Sequence, residues 1–321
     1  MMTFTLQPSK FLTMPTLPAP SSPSIYLGFD MSTQSLSVVA LSFPYLSTLL
    51  SELESGLPPS NLSTSKVIYS YSCNYATILG TDGVTSSPGG VCSQDVSVYL
   101  KALDHVMSTM WKDAVMSRMM KHVKAVGGCA QQHGAVYWGE GWEGAIRGVD
   151  EEGRRRGSVE KGNNKDNKDD KDVNPPLLYT SLLSQSSVFS KTSCSIWMDS
   201  STSDLCTRLN SDPTLSSIVR ETGTSFTSRF TGPQISLFAS TSPTLYAETL
   251  KIHLISTFLS TLFLGSPSPY SDPSDSGGMN LLSLKTGEYT PELLALYDPT
   301  GQLPDKLVPI CKQGAVLGEK D

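Results

Sequence analysis

From residue 25 onward, apolar positions fall into short runs separated by polar turns. Ile25–Phe29 is apolar and closes on Asp30, and after Met31–Ser35 the chain resumes as Leu36–Phe43, rich in β-branched residues. Two short strands around a tight polar turn is the reading that pattern supports. Val67–Tyr71 has the composition of a third strand. Over Asp95–Val123 the spacing changes: Val96, Leu100, Leu103, Met107, Met110 and Met119 recur at three- and four-residue steps, which predicts a helix. Asp95 stands where a carboxylate favours the positive end of such a helix. Lys124–Ala130 reads as a buried strand running into the turn Gln131-Gln132-His133-Gly134.

Beyond residue 191 the alternation returns. Ser195–Met198 reads as a strand and Asp199–Leu209 as a short helix; Pro233–Ala239 and Pro243–Tyr246 are further short helices. Lys251–Leu254 is a strand candidate, and Ile255–Leu264 a helix closed by Gly265 and Pro267. Met279–Leu284 suits a last strand, before a helix over Pro291–Tyr297. A leading β-hairpin followed by mixed strands and helices indicates an α/β domain.

Charge changes the picture in one place. The chain has 24 basic and 30 acidic residues, a net charge of −6, and 15 of these charges crowd into the 23 residues Asp150–Asp172. That stretch has no aromatic residue and cannot bury enough apolar surface to offset its ordering entropy. Residues 139–191 therefore read as a disordered, low-complexity charged insertion, solvated at the surface. The triplet Arg154-Arg155-Arg156 is neutralised by flanking acids, and an acidic chain offers nucleic acid no footprint. No run reaches the roughly 18 continuous apolar residues a spanning helix needs, so a membrane partner is not expected.

Six cysteines are scattered without a Cys-x-x-Cys pair, which argues against a zinc site or a disulfide scaffold and suits a reducing compartment. Residues 1–24, rich in Pro, Ser and Thr with Lys10 as the one basic residue, read as a disordered leader and not as a targeting signal. A cytoplasmic location is the expectation.

Four segments have side chains suited to chemistry. In Leu27–Ser35, a strand ending in Asp30 and turning through Ser32, Thr33 and Gln34 suits a phosphate-binding hairpin, with the carboxylate holding Mg²⁺ through water. An Asp opening a β-turn for purely local hydrogen-bonding reasons gives the same pattern. In Gly127–Gly134, Gln132 and His133 stand beyond a strand's C-terminal end, where α/β domains place ligand groups and where vicinal hydroxyls can be bound. A His satisfied by a nearby carbonyl reads equally well there. Arg229 at the mouth of a helix and Asp275 in the loop Ser271–Asn280 are polyol ligands or, taken singly, a surface arginine and a turn aspartate.

Taken in order, the blocks Tyr26–Ser35, Gln131–Trp138, Ser195–Thr202, Arg229–Gln234, Ser260–Ser266 and Asp272–Leu282 resemble the N-terminal half of the FGGY carbohydrate kinases, and within them the eukaryotic xylulose kinases. The resemblance runs from about Ile25 to the end of the sequence and is broken by 139–191. It implies a ribonuclease-H-like fold of the actin/hexokinase superfamily, with sugar and ATP bound between two such lobes. It implies that His133, Arg229 and Asp275 hold the sugar, with Gln132 alongside and Trp197 lining its apolar face. Asp30 is implied at the Mg²⁺–phosphate end, with Ser32–Gln34 in the turn. Many members have Gly where Ser32 stands, which bears on how closely a phosphate approaches.

In that family the general base is an Asp in a Gly-Asp-Asn block, followed by an ATP-binding half; the 321 residues contain no Gly-Asp-Asn run. The expectation is therefore one domain over 25–321, the sugar-binding half of an ATP-dependent kinase forming D-xylulose 5-phosphate when complete, and inactive by itself. The alternatives are a short non-catalytic sugar-binding or regulatory module, and a decayed kinase domain.

Overall fold

The computed structural model describes residues 23–43, 65–149, 179–184, 187–267, 269–312 and 315–318. The expected leader at 1–24, apart from its last two residues, and the charged stretch 150–178 lie outside the described residues.

The hairpin forms as its alternation requires. Strand β1 (Ser24–Met31) buries Leu27, Phe29 and Met31 and turns Gly28 and Asp30 outward. Strand β2 (Ser35–Phe43) buries Leu36, Val38 and Ala40 and pairs antiparallel with β1. Strand β3 (Lys66–Asn74) follows antiparallel on β2. Strands β4 (Val84–Ser87) and β5 (Val91–Asp95) form a second hairpin leading into helix α1, Val96–Lys112. The Asp95 carboxylate caps α1, accepting from Ser97 N at 2.7 Å. The predicted helix to Val123 breaks at Asp113, whose side chain accepts from Val115 N and Met116 N, and resumes as short turns over Met116–Met119 and Met120–His122. A side chain bonding its own neighbours' amides competes with the helix for them.

Strand β6 (Val123–Ala130) then runs parallel to β1 and completes a four-stranded sheet of order β3-β2-β1-β6. It is the edge strand, and none of its residues is buried, which corrects the expectation of a buried strand. Strand β7 (Ala135–Trp138) lies between β8 (Phe189–Lys191) and β10 (Lys251–Leu254) in a second sheet. Strand β9 (Ser193–Ser195) joins β5 in a third.

The span expected as an insertion begins and ends inside the fold. Residues 142–149 are helical, with Trp142, Ala145, Ile146 and Val149 buried, and Tyr179, Leu182 and Phe189 are buried too. These apolar residues anchor the edges of 139–191; the charge lies between them.

Further along, helix α2 is Ser203–Ser211, α3 is Thr231–Thr241 and α4 is Ile255–Leu264. The end of α4 follows the sequence signal: Gly265 takes φ 61°, and its N–H caps Thr261. The strand expected over Met279–Leu284 reduces to one bridge, Leu282 to Tyr289. The strand expected over Ser195–Met198 ends at Ser195, and Trp197 and Met198 sit exposed in a turn.

Two apolar clusters hold the molecule. One joins the four-stranded sheet to α1 and α4; the other gathers Tyr137, Ile235, Phe238, Tyr246, Leu281 and Tyr297 around α3 and β10. The turns after β1, β6 and β9 and the loop before α3 converge where these clusters meet.

Candidate functional site

The hairpin turn is pinned from behind. Ser32 N donates to Ser35 O at 2.9 Å, Tyr75 OH donates to Ser32 O at 3.0 Å, and Tyr75 N donates to Gln34 O at 3.0 Å. Asp30, exposed at the end of β1, accepts from Ser32 Oγ at 3.0 Å. Beside it in β6 lies Cys129, whose thiol is pushed up by burial and by the Asp30 carboxylate.

The turn after β6 places Gln131, Gln132 and His133. His133 takes φ 69°, a left-handed conformation uncommon for a non-glycine residue and often retained at binding sites. Its Nδ1 lies 3.0 Å from Gly278 O, which can only accept, so Nδ1 carries the proton and Nε2 is left as an acceptor. Partial burial, with the Arg229 charge adding to it, holds the imidazole below its ordinary value and hence neutral at pH 7. A neutral acceptor of this kind suits a sugar hydroxyl.

Trp197 stands on the turn after β9 with 51% of its surface exposed, a large ring left open to solvent. Arg229 precedes α3, and its guanidinium carbon lies 5.9 Å from the centre of the Phe230 ring. It makes no ion pair among the described residues. A cleft of about 340 Å³ is lined by Ser32, Thr33, Gln131, Gln132, His133, Trp197 and Arg229. That volume lies at the small end of the roughly 300–1,000 Å³ typical of ligand pockets.

Six residues singled out in the sequence therefore share one cleft: Ser32, Thr33, Gln132, His133, Trp197 and Arg229. Three do not line it. Gln34 points outward and contributes its carbonyl to Tyr75; Asp30 stands at the hairpin's mouth; Asp275 is half-buried behind the histidine. Burial pushes the Asp275 carboxyl up, and the Ser256 hydroxyl draws it back.

Gln131 is the lining residue that no role was assigned from sequence, although it stands next to Gln132. The Thr33 hydroxyl is also already engaged, donating to Gln131 Oε1 at 2.8 Å and accepting from Trp197 Nε1 at 3.2 Å. Asp199 was likewise missed. Buried beneath Trp197, it accepts from Cys92 N, Ser201 N, Ser201 Oγ and Gln234 Nε2, so it ties β5, the Trp197 turn and α3 together.

For a metal, the donor set is one exposed carboxylate, Asp30; no cluster of three acidic, histidine or cysteine side chains occurs among the described residues. That fits a magnesium ion that keeps most of its water and takes its remaining ligands from phosphate oxygens.

Residues 190–320 match the family model described as the N-terminal domain of the FGGY family of carbohydrate kinases. Over 302 residues, 92% of this chain, the sequence is 29% identical to the probable D-xylulose kinase A of Aspergillus flavus, and over 275 residues it is 28% identical to the D-xylulose kinase A of Aspergillus niger. The alignments take in 45% and 40% of those two proteins, so the chain spans less than half the length of the curated relatives it matches. The xylulose kinase of Rhodospirillum rubrum superposes with a TM-score of 0.59 at 13% identity, covering 92% of this chain and 44% of the other. The glycerol kinase of Plasmodium falciparum, solved with ADP, superposes with a TM-score of 0.57 at 15% identity, covering 93% and 46%. These likenesses show the actin/hexokinase-like kinase fold. No helix among the described residues is long and apolar enough to cross a membrane.

Proposed function

Because residues 190–320 match the model of the N-terminal domain of the FGGY family of carbohydrate kinases, we propose that the chain is a member of that family and forms the sugar-binding wall of an ATP-dependent kinase acting on D-xylulose or a related ketopentose. The observation that carries this reading is the cleft itself, where a neutral His133 acceptor, the Arg229 guanidinium, the Gln132 amide and the open face of Trp197 converge. Hydroxyl donors and acceptors beside an exposed aromatic face match a polyhydroxylated carbon chain, which has polar edges and an apolar C–H face.

His133 Nε2 accepts a sugar hydroxyl, and Arg229 and Gln132 donate to others. Trp197 packs on the C–H face and excludes water from it. Asp275 supports the far side of the histidine and offers a carboxylate to a hydroxyl reaching that depth. Ser32 in the cleft, with Asp30 beside it at the hairpin's mouth, forms the phosphate end, where Mg²⁺–ATP would supply the transferable phosphoryl group. The D-xylulose kinase names of its relatives support a ketopentose as the sugar.

The 321 residues by themselves are expected to bind sugar and to transfer phosphate negligibly. Phosphoryl transfer depends on positioning donor, acceptor and base together, and the described cleft gathers sugar-binding groups beside one phosphate hairpin, with no carboxylate base among its lining residues. The reading puts the protein in the cytoplasm, where Cys73, Cys92, Cys194 and Cys206 stay reduced.

Calorimetric titration with D-xylulose tests it. The parent chain gives binding heat, and His133→Ala and Arg229→Ala each weaken it about tenfold, the worth of one hydrogen bond to a charged or well-oriented partner. A parent chain that binds no ketopentose overturns the reading, and robust ATP-dependent turnover by these residues alone overturns the division of labour.

A further inference from the structure

Behind the cleft lies a chain of side-chain hydrogen bonds that leaves no polar atom of its central residue unused. Gln94, on β5, is fully buried. Its Oε1 accepts from Tyr99 OH at 2.6 Å and from Gln131 Nε2 at 3.0 Å. Its Nε2 donates to Thr33 O and to Asp82 O, both at 2.7 Å. Gln131 is used as fully: Nε2 also reaches the Tyr99 hydroxyl, and Oε1 accepts from Thr33 Oγ1 at 2.8 Å. Thr33 Oγ1 in turn accepts from Trp197 Nε1 at 3.2 Å. The turn of the first hairpin and the exposed tryptophan therefore meet at one hydroxyl, and that hydroxyl is oriented from the core.

We propose that Gln94 is a positioning residue: acting through Gln131 and Thr33, it holds the hairpin turn by its backbone and Trp197 by its indole N–H, so that the sugar wall and the phosphate hairpin are set by one buried amide. The inference rests on the sugar-binding reading for its consequence, though not for its geometry. Three observations carry it. An aromatic ring half open to solvent has no tight packing to fix its rotamer, so the indole hydrogen bond is what orients it. A fully satisfied buried amide network specifies one arrangement, because any other leaves a buried donor or acceptor unpaired. Gln94 also grips the turn directly at Thr33 O, so the two cleft walls share a single anchor.

The direction of each bond supports the assignment. Carbonyl oxygens Thr33 O and Asp82 O demand the amide nitrogen of Gln94, which leaves its oxygen for Tyr99 and Gln131. Gln131 must then present its nitrogen to Gln94 and its oxygen to Thr33. Thr33 donates to that oxygen, and its lone pair faces the indole. Reversing Gln94 would set its oxygen against the carbonyl oxygens of Thr33 and Asp82, and reversing Gln131 would set its oxygen against Gln94 Oε1.

The test uses Gln94→Met, which keeps the volume and removes both polar atoms, and the pair Thr33→Val and Thr33→Ser, which cut or keep the last joint. Acrylamide quenching reads Trp197, with Trp197→Phe supplying the background from Trp111, Trp138 and Trp142. Gln94→Met and Thr33→Val are expected to raise the Trp197 quenching constant about twofold, as the freed ring samples further rotamers. Thr33→Ser is expected to match the parent. D-xylulose affinity should fall about fivefold in Gln94→Met and Thr33→Val and return in Thr33→Ser.

A Trp197 quenching constant unchanged in folded Thr33→Val overturns the proposal, as does Thr33→Ser behaving like Thr33→Val. Should Gln94→Met fail to fold, the threonine pair decides alone. Quenching needs no sugar, so that arm upholds or overturns the tie even where calorimetry denies sugar binding.

Discussion

Removing the Asp199 carboxylate should loosen the fold and the cleft together. The side chain is 2% exposed and accepts four hydrogen bonds, from Cys92 N at 2.7 Å, Ser201 N at 2.9 Å, Ser201 Oγ at 2.5 Å and Gln234 Nε2 at 2.8 Å. In Asp199→Ala the two Ser201 donors can turn toward water, because that residue is part-exposed. The Cys92 amide cannot, since Cys92 is 6% exposed and held within β5, so it loses the acceptor that the carboxylate gave it. Gln234 keeps Ser228 O for its Nε2 but loses the bond that orients it. One stranded buried donor, plus the loss of charge-assisted bonds, amounts to about 3–5 kcal/mol. That is a large share of the roughly 5–15 kcal/mol by which a domain is stable.

Asp199→Asn keeps one acceptor oxygen but must aim its NH₂ at a donor, so it should cost about 2 kcal/mol. Asp204, exposed in the first turn of α2, is the control; Asp204→Ala should cost no more than about 1 kcal/mol. Urea unfolding followed by circular dichroism measures all three, with an unchanged slope required for the comparison. Calorimetry should show weaker D-xylulose binding by Asp199→Asn, since Trp197 and the Arg229 loop are both tied through this carboxylate. An Asp199→Ala midpoint equal to that of Asp204→Ala would refute the reasoning.

Two further outcomes follow from buried or crowded groups. His253 is fully buried, its Nδ1 accepting from Trp138 Nε1 at 2.8 Å, and burial, with Lys251 adding to it, holds its pKa at about 3. The unfolded imidazole titrates near 6.5, so below that pH the unfolded chain binds the extra proton; this contribution is complete above 6.5 and is lost as pH falls toward 3. Between pH 6.5 and 4.5 it removes about 2–3 kcal/mol, and His253→Gln should flatten that part of the stability profile; an identical slope in the variant would deny it. In Gly278→Ala the new Cβ would sit 3.1 Å from His133 Nδ1 and Cε1, with an ordinary backbone φ, so the ring must shift. D-xylulose affinity should drop about three- to tenfold at nearly unchanged stability, and equal affinity by calorimetry would count against His133 as a sugar ligand.

The elements that the sequence located well are those with a local cause. The hairpin of β1 and β2 follows from alternation, and α4 from a periodic apolar run ended by Gly265. The misjudged boundaries have tertiary causes. Asp113 captures the amides that would have continued α1, and β6 is an edge strand because of where the sheet stops, which periodicity does not report. Apolar residues at 142–149 belong to the core although the charge next to them suggested a solvated insertion. Their burial depends on partners such as His253, far away in the chain.

The same division runs through the site. Asp30, Ser32, Thr33, Gln132, His133, Trp197 and Arg229 stand out in the sequence because polar and aromatic residues fall at strand ends and turn positions, which local patterning marks. That six of these seven line one cleft, that His133 presents Nε2 and not Nδ1, and that Gln94, Gln131 and Asp199 hold the walls in place was decided by contacts across 37 to 164 residues of chain. Side-chain type is a local property that the sequence states outright. The partner of a buried amide or carboxylate is set by packing, because only the folded core removes the water that would otherwise satisfy it.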